Sequence, residues 1–164
     1  MKKLFCLIFC FGCFAIIFAQ SNTPNAKTAI GKTYKRIEEI IEFKNFREVE
    51  GLVISDLKAK NKIFSKISDG KNTVVLLTEY YIKGNKILAI LNLGKIEKNI
   101  RIILRDCRIN SKTDGFIVAL VKEQNKAYFT NVIKAWKVDQ NTNSFIEIPT
   151  KGIDCFNDEF ENQE

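Results

Sequence analysis

The sequence predicts an α+β fold in which one N-terminal amphipathic helix packs on a curved antiparallel β-meander of five or six strands. Two observations predict it: an apolar stripe with helical spacing near the N-terminus, and a series of short apolar runs separated by turn residues. Several of these runs are apolar on both faces, and such a sheet must be covered on both sides. A closed β-barrel is therefore the alternative architecture.

The helix is predicted over residues 27–44. Ile30, Tyr34, Ile37 and Ile41 recur at spacings of four, three and four, with charged residues between them. The continuation over residues 45–68 is open, because part of it is typical of a strand and part would extend the helix.

The middle and C-terminal parts of the chain have the pattern of strands. Residues 73–82 and 86–93 flank Lys83-Gly84-Asn85, which predicts a β-hairpin. A turn is predicted at residues 111–115. Further strands are predicted within residues 116–121, 127–138 and 144–148. A strand is also favoured within residues 99–108, although Ile96, Ile100, Ile103 and Cys107 would fit one face of a helix.

The N-terminus has the layout of a secretory signal peptide. Lys2 and Lys3 precede an uncharged apolar stretch that ends at Ala19. Its cleavage would give an exported protein, periplasmic or extracellular, without a transmembrane segment. The domain boundaries follow from this: a signal peptide at 1–19, a flexible lead-in at 20–26, one globular domain at 27–156 and an acidic C-terminal tail at 157–164.

Cysteine usage agrees with export. Three of the five cysteines lie in the predicted signal peptide, and only Cys107 and Cys155 remain in the mature chain. An oxidising compartment favours one disulfide bond between them, which would hold the C-terminal segment on the core.

The absence of histidine excludes many enzyme classes. With no His in 164 residues, Ser-His and Cys-His nucleophiles and His-ligated metals are impossible. Gly31-Lys32-Thr33 lacks the upstream glycine of a phosphate-binding loop, and residues 139–150 lack the glycine and glutamate of a calcium loop. We therefore expect no cofactor, no metal and no enzymatic activity.

A basic stretch and three aromatic residues are the candidate binding residues. The chain has a net charge of +7, and a basic patch binds polyanions without sequence specificity. No nucleic-acid-binding motif is present, so the expected partner is a protein or an anionic envelope component. Aromatic side chains can anchor a ligand. The candidates are Lys58, Lys60, Lys62, Lys66, Tyr80, Tyr81 and Trp136.

These features predict a small exported, non-catalytic domain that binds a protein, a peptide or an envelope polymer. One alternative is a small-ligand carrier with an apolar cavity, lined by residues such as Tyr80, Leu88, Ile90 and Phe129. The other is a hydrolase that uses carboxylates and tyrosines, with Glu79 and Asp106 as the residues to test.

Overall fold

The computed structural model describes residues 26–54 and 61–160. Antiparallel strands dominate, and no described helix reaches seven residues. The predicted α+β class is therefore wrong, because the N-terminal segment forms only single 3₁₀ turns at Ala26–Ala29, Ile37–Glu39 and Ile41–Phe43. The strands are β1 Thr33–Tyr34, β2 Arg47–Val53, β3 Lys62–Ser68, β4 Thr73–Tyr81, β5 Gly84–Gly94, β6 Ile100–Leu104, β7 Cys107–Ile109, β8 Lys112–Asp114, β9 Ile117–Lys122, β10 Tyr128–Phe129, β11 Val132–Asp139, β12 Ser144–Ile148 and β13 Ile153–Phe156.

The described strands form three antiparallel sheets instead of one meander. Sheet A has the order β1-β5-β4-β3-β2 and curves into a half-barrel. Sheet B has the order β12-β11-β9-β6, and sheet C has the order β10-β13-β7-β8. The alternative of a closed barrel is also wrong, because β2 and β6 remain edge strands of separate sheets.

The main core lies between sheets A and B. Phe64 of β3 and Val118 of β9 belong to one buried cluster, and the ring of Phe64 stacks on Phe145 of β12 at 6.1 Å between centroids. Alternate residues of a strand face opposite sides. Each of the two sheets therefore has a second apolar face that needs its own cover.

Two further clusters cover those outer faces. The N-terminal segment packs Ile37 and Phe43 against Ile67 and Leu76 of sheet A. Sheet C packs against β9 and β11 of sheet B in a third cluster. The expectation that both faces are covered is confirmed, although 3₁₀ turns and a small sheet take the place of the helix.

The helix prediction fails because the buried residues of the N-terminal segment recur every three positions. Tyr34, Ile37, Ile40 and Phe43 are each at most 5% exposed, which is the spacing of a 3₁₀ helix and not of an α-helix. Ile41, which the helical pattern places on the buried stripe, is 73% exposed.

The predicted hairpin of β4 and β5 is confirmed, with its turn one residue earlier than the sequence suggests. Tyr81 pairs with Gly84, so Ile82 and Lys83 form the turn. Gly84 has a φ of 135°, and a Cβ there would lie 2.5 Å from the carbonyl oxygen of Tyr34. Glycine is required at this position because β1 pairs closely with the start of β5.

The open segment 45–68 contains a strand pair, and the predicted turn at 111–115 is misplaced. β2 and β3 pair antiparallel around residues 55–60, which lie outside the described residues. The turn between β7 and β8 is at Asn110 and Ser111, whose φ values of 49° and 65° suit a tight hairpin. Residues 112–114 are therefore a strand.

The predicted disulfide bond is confirmed. The sulfurs of Cys107 and Cys155 lie 2.07 Å apart, and the two residues are register partners in β7 and β13. In the neighbouring pair, Arg108 donates two hydrogen bonds to Asp154 at 2.7 and 2.9 Å. The guanidinium of Arg108 also lies 3.6 Å from the ring centre of Tyr128. Strand β13 is thus linked to its neighbour β7 by side chains at two successive positions.

The N-terminal segment carries an ion pair that makes the stability of the fold depend on pH. Lys32 donates to both carboxylate oxygens of Glu42, at 2.6 and 2.8 Å, and Thr28 donates a further hydrogen bond. These bonds lower the pKa of Glu42 to about 2. A carboxyl whose pKa is lower in the folded state stabilises the fold above its unfolded pKa of about 4, and this contribution is lost as the pH falls toward 2.

We therefore expect the urea concentration at the unfolding midpoint to decrease when the pH is lowered from about 6 to about 2.5. The decrease should be smaller in the Glu42→Gln variant. The amide keeps the shape of the side chain but cannot titrate. Glu147→Gln, at an exposed carboxylate, is the control and should follow the original protein. An equal fall in both variants would contradict the role of Glu42.

Candidate functional site

A groove lies between the β2 edge of sheet A and the β6 edge of sheet B. One wall comes from β2 and β3, and the other comes from β6 and the loop before it. The groove encloses about 760 Å³, which is within the range of ligand-binding sites in proteins. Because β2 ends sheet A and β6 ends sheet B, two edge strands border the same space.

The register of β6 shows which of its backbone groups face the groove. Arg105 N–H donates to the carbonyl of Ile117, and Glu123 N–H donates to the carbonyl of Asn99. These bonds place the hydrogen-bonded pairs of β6 and β9 at odd-numbered residues of β6. The N–H and carbonyl of Ile102 therefore point away from β9, toward the groove.

The same reasoning applies to β2. Ile54 N–H donates to the carbonyl of Lys62, so the backbone groups of Gly51 and Val53 point away from β3. The carbonyl of Val53 accepts a hydrogen bond of 2.9 Å from the guanidinium of Arg105. This side chain follows β6 and bridges the two edge strands. The bridge closes the groove at the C-terminal ends of both strands.

Arg105 takes an unusual backbone conformation to make this bridge. Its φ of 74° lies in the left-handed region, which is uncommon for a residue with a side chain. Its guanidinium also lies 3.4 Å from the carboxylate of Asp106. Non-glycine residues with positive φ persist where the surroundings hold them, and they cluster at functional sites.

The floor of the groove is apolar and continues into the main core. Leu52 of β2 and both Ile102 and Leu104 of β6 line the groove and pack on the cluster between the two sheets. An extended chain in the groove would therefore contact apolar side chains below and unpaired backbone groups beside it.

The charge of the groove is opposite in sign to that of the chain. The full sequence has a net charge of +7, but three basic and five acidic side chains line the groove. Arg101 is paired with Glu159, and Glu123 lies 4.0 Å away. The hydrogen bond to Glu159, together with the charges of Glu123 and Asp158, raises the pKa of Arg101. The acidic lining is Glu50, Asp106, Glu123, Asp158 and Glu159.

Of the lysines in the predicted basic patch, the structure describes Lys62 and Lys66, and both have side-chain partners. Lys58 and Lys60 lie outside the described residues. Lys62 donates to the side chain of Asn143 at 2.6 Å, and Lys66 is paired with Glu50 across β2 and β3. Of the described candidate lysines, Lys66 lines the groove.

The predicted aromatic residues lie away from the groove. Trp136 is 8% exposed and lies on β11, which pairs with β9 and β12 in the middle of sheet B. Tyr80 and Tyr81 are 53% and 45% exposed near the tip of the β4–β5 hairpin. The hydroxyl of Tyr81 donates to Glu79, and this bond raises the pKa of Tyr81.

The residues proposed for the two alternative functions do not come together. Glu79 binds Tyr81 at the hairpin end, whereas Asp106 lines the groove. Leu88, Ile90 and Phe129 pack on three different apolar clusters, so they do not line one cavity. Within residues 26–54 and 61–160, no group of three His, Cys, Asp or Glu side chains could hold a metal ion.

Sequence reasoning missed the groove itself. The alternation of Ile100, Ile102 and Leu104 identifies β6 as a strand but does not show that it is an edge. The contact of Glu159 with Arg101 joins residues 58 positions apart. The excess of acidic residues after Asp154 is the one sequence signal that suggests a contact with a basic strand.

A comparison with protein-family models, with curated proteins and with solved structures found no match to this chain. In the part of the chain that the structure describes, no helix is long and apolar enough to cross a membrane. The cysteine pair at disulfide distance is compatible with export.

Proposed function

We propose that this protein is an exported, non-catalytic domain that binds an extended segment of another protein in the groove between β2 and β6. The observation that carries the proposal is that two edge strands of different sheets border one groove with an apolar floor. Exposed strand edges are a common site of peptide binding, because a bound chain can pair with the free backbone groups.

The geometry supports a peptide better than a small molecule or a polymer without backbone amides. Ile102 presents a backbone donor and a backbone acceptor on one wall, and Leu52 and Leu104 present apolar surface beside them. A peptide has both complementary features along its length. Isolated apolar ligands would leave the backbone groups of the edges without partners.

The test is selection of short unstructured peptides from a random library, followed by binding to a matched pair of variants. Val49 is 61% exposed and lines the groove, whereas Ile146 is 51% exposed on β12, which lies at the other end of sheet B from β6. Val49→Trp should obstruct the groove, and Ile146→Trp adds the same side chain at an exposed strand position outside it.

We expect selected peptides to bind the Val49→Trp variant at least about tenfold more weakly than the original protein, and the Ile146→Trp variant with little change. Titration calorimetry measures both affinities. Equal binding to both variants would place the peptides elsewhere and overturn the proposal, as would a library that yields no binder.

A further inference from the structure

Building on the peptide-binding function proposed above, we infer that the ligand is an extended peptide with basic side chains, and that it binds by adding a strand to the open edge of β6. This names both the mode of binding and the chemical class of the ligand. The two parts rest on different observations, the register of β6 and the charge of the groove.

The backbone of β6 offers a short, regular set of partners on its open side. The N–H and carbonyl of Ile102 and the N–H of Leu104 face away from β9, because those residues occupy the non-hydrogen-bonded positions of the pair. No described strand lies beside β6 on that side. The carbonyl of Leu104 accepts from Asp106 N–H, which ends the available edge at the corner.

An added strand would satisfy this edge over the five residues of β6. Side chains of a strand alternate between its two faces, so every second side chain of the ligand would contact the apolar floor. Apolar residues are expected at those positions. The bridge of Arg105 to Val53 limits the ligand at one end, and no described residue forms such a bridge between β2 and β6 at the other end.

The charge at that other end favours a basic ligand. Three carboxylates, those of Glu123, Asp158 and Glu159, lie in the lining beside two cations, Arg101 and Lys98. Over the whole lining, five acidic side chains stand against three basic ones, so the groove carries a net negative charge. A cationic side chain there would be attracted and an anionic one repelled, so a basic peptide is favoured over an acidic polymer.

The experiment compares two synthetic peptides of about eight residues, one alternating valine and lysine and one alternating valine and glutamate. Binding is measured by calorimetry, and hydrogen exchange of individual amides is followed by NMR. We expect the lysine peptide to bind at least about tenfold more tightly than the glutamate peptide at low salt. It should also slow the exchange of the Ile102 and Leu104 amides at least about tenfold.

The amides of Arg101 and Ile103 are internal controls, because they bond to β9 and should be protected with or without peptide. A matched pair of variants tests the charge. Glu123→Gln combined with Glu159→Gln should reduce the preference for the lysine peptide, and Glu147→Gln, on the exposed face of β12, should not.

Each other outcome overturns a stated part. If both peptides bind the original protein equally and both bind the Val49→Trp variant more weakly, the preference for a basic ligand is rejected. Such a result would still support the groove as the binding site. Binding without protection of Ile102 and Leu104 would reject strand addition. Protection that rises with protein concentration in the absence of peptide would show that a second copy occupies the edge. Failure of both peptides to bind would reject the inference, while the library selection decides the proposed function separately.

Discussion

The Phe43→Ala variant is expected to lose about 3–5 kcal/mol of unfolding free energy, since truncating a buried Phe removes apolar contacts and leaves a cavity. Phe43 is 1% exposed in the cluster that covers the outer face of sheet A. Its ring packs edge to face on Phe46 at 5.4 Å between centroids. Urea unfolding followed by circular dichroism measures the change.

Ile41→Ala is the control, because it also truncates an apolar side chain and lies two positions away. Ile41 is 73% exposed, so the substitution should change the unfolding free energy by less than about 0.5 kcal/mol. An α-helix over residues 27–44 would bury Ile41 with Ile37 on one face. A large loss in Ile41→Ala with a small loss in Phe43→Ala would therefore contradict the 3₁₀ arrangement.

The N-terminal segment shows why its fold could not be predicted from apolar spacing. Tyr34 and Ile37 fit both a period of three and a period of 3.6, and the two patterns separate only further along the chain. The decisive residues are Phe43 and Phe46, which continue the period of three. The backbone also becomes extended at Arg36 and Ile40, which interrupts any continuous helix.

Strands were easier to predict because local signals define them. Turn residues bound the short apolar runs of β4, β5, β9 and β12, and the structure places strands in each of those predicted segments. Which strands pair, and therefore which edges remain open, depends on contacts between distant segments. The alternation of polar and apolar residues in β6 is the same whether a neighbour covers its edge or not.

The candidate site was for this reason largely outside the reach of sequence analysis. The charge of Lys62 and Lys66 predicts a binding role, but the structure pairs them with Asn143 and Glu50. The disulfide bond could be predicted because only two cysteines follow the predicted signal peptide, which leaves one possible partner for each.

Removing the disulfide bond should destabilise the protein by about 4 kcal/mol, the value that the chain-entropy model gives for a loop of this length. Cys107 and Cys155 are 48 positions apart and fully buried, and the proposed change is Cys107→Ala combined with Cys155→Ala. The same protein with its disulfide reduced is the control, since it keeps both sulfur atoms and loses only the bond. A loss below about 1 kcal/mol in both would contradict the role of the bond.

The loss of this bond should also weaken peptide binding in the groove, because β13 leads directly into the segment that lines the groove. Cys155 is followed within four residues by Glu159, which pairs with Arg101 of β6. Release of β13 from β7 would free this segment and remove carboxylates from the basic-ligand end. We therefore expect the lysine–valine peptide to bind the reduced protein more weakly under conditions where circular dichroism shows that sheets A and B remain folded. Unchanged affinity would show that the C-terminal segment does not contribute to the groove, and it would leave Glu123 as the remaining acidic group beside Arg101 to be tested.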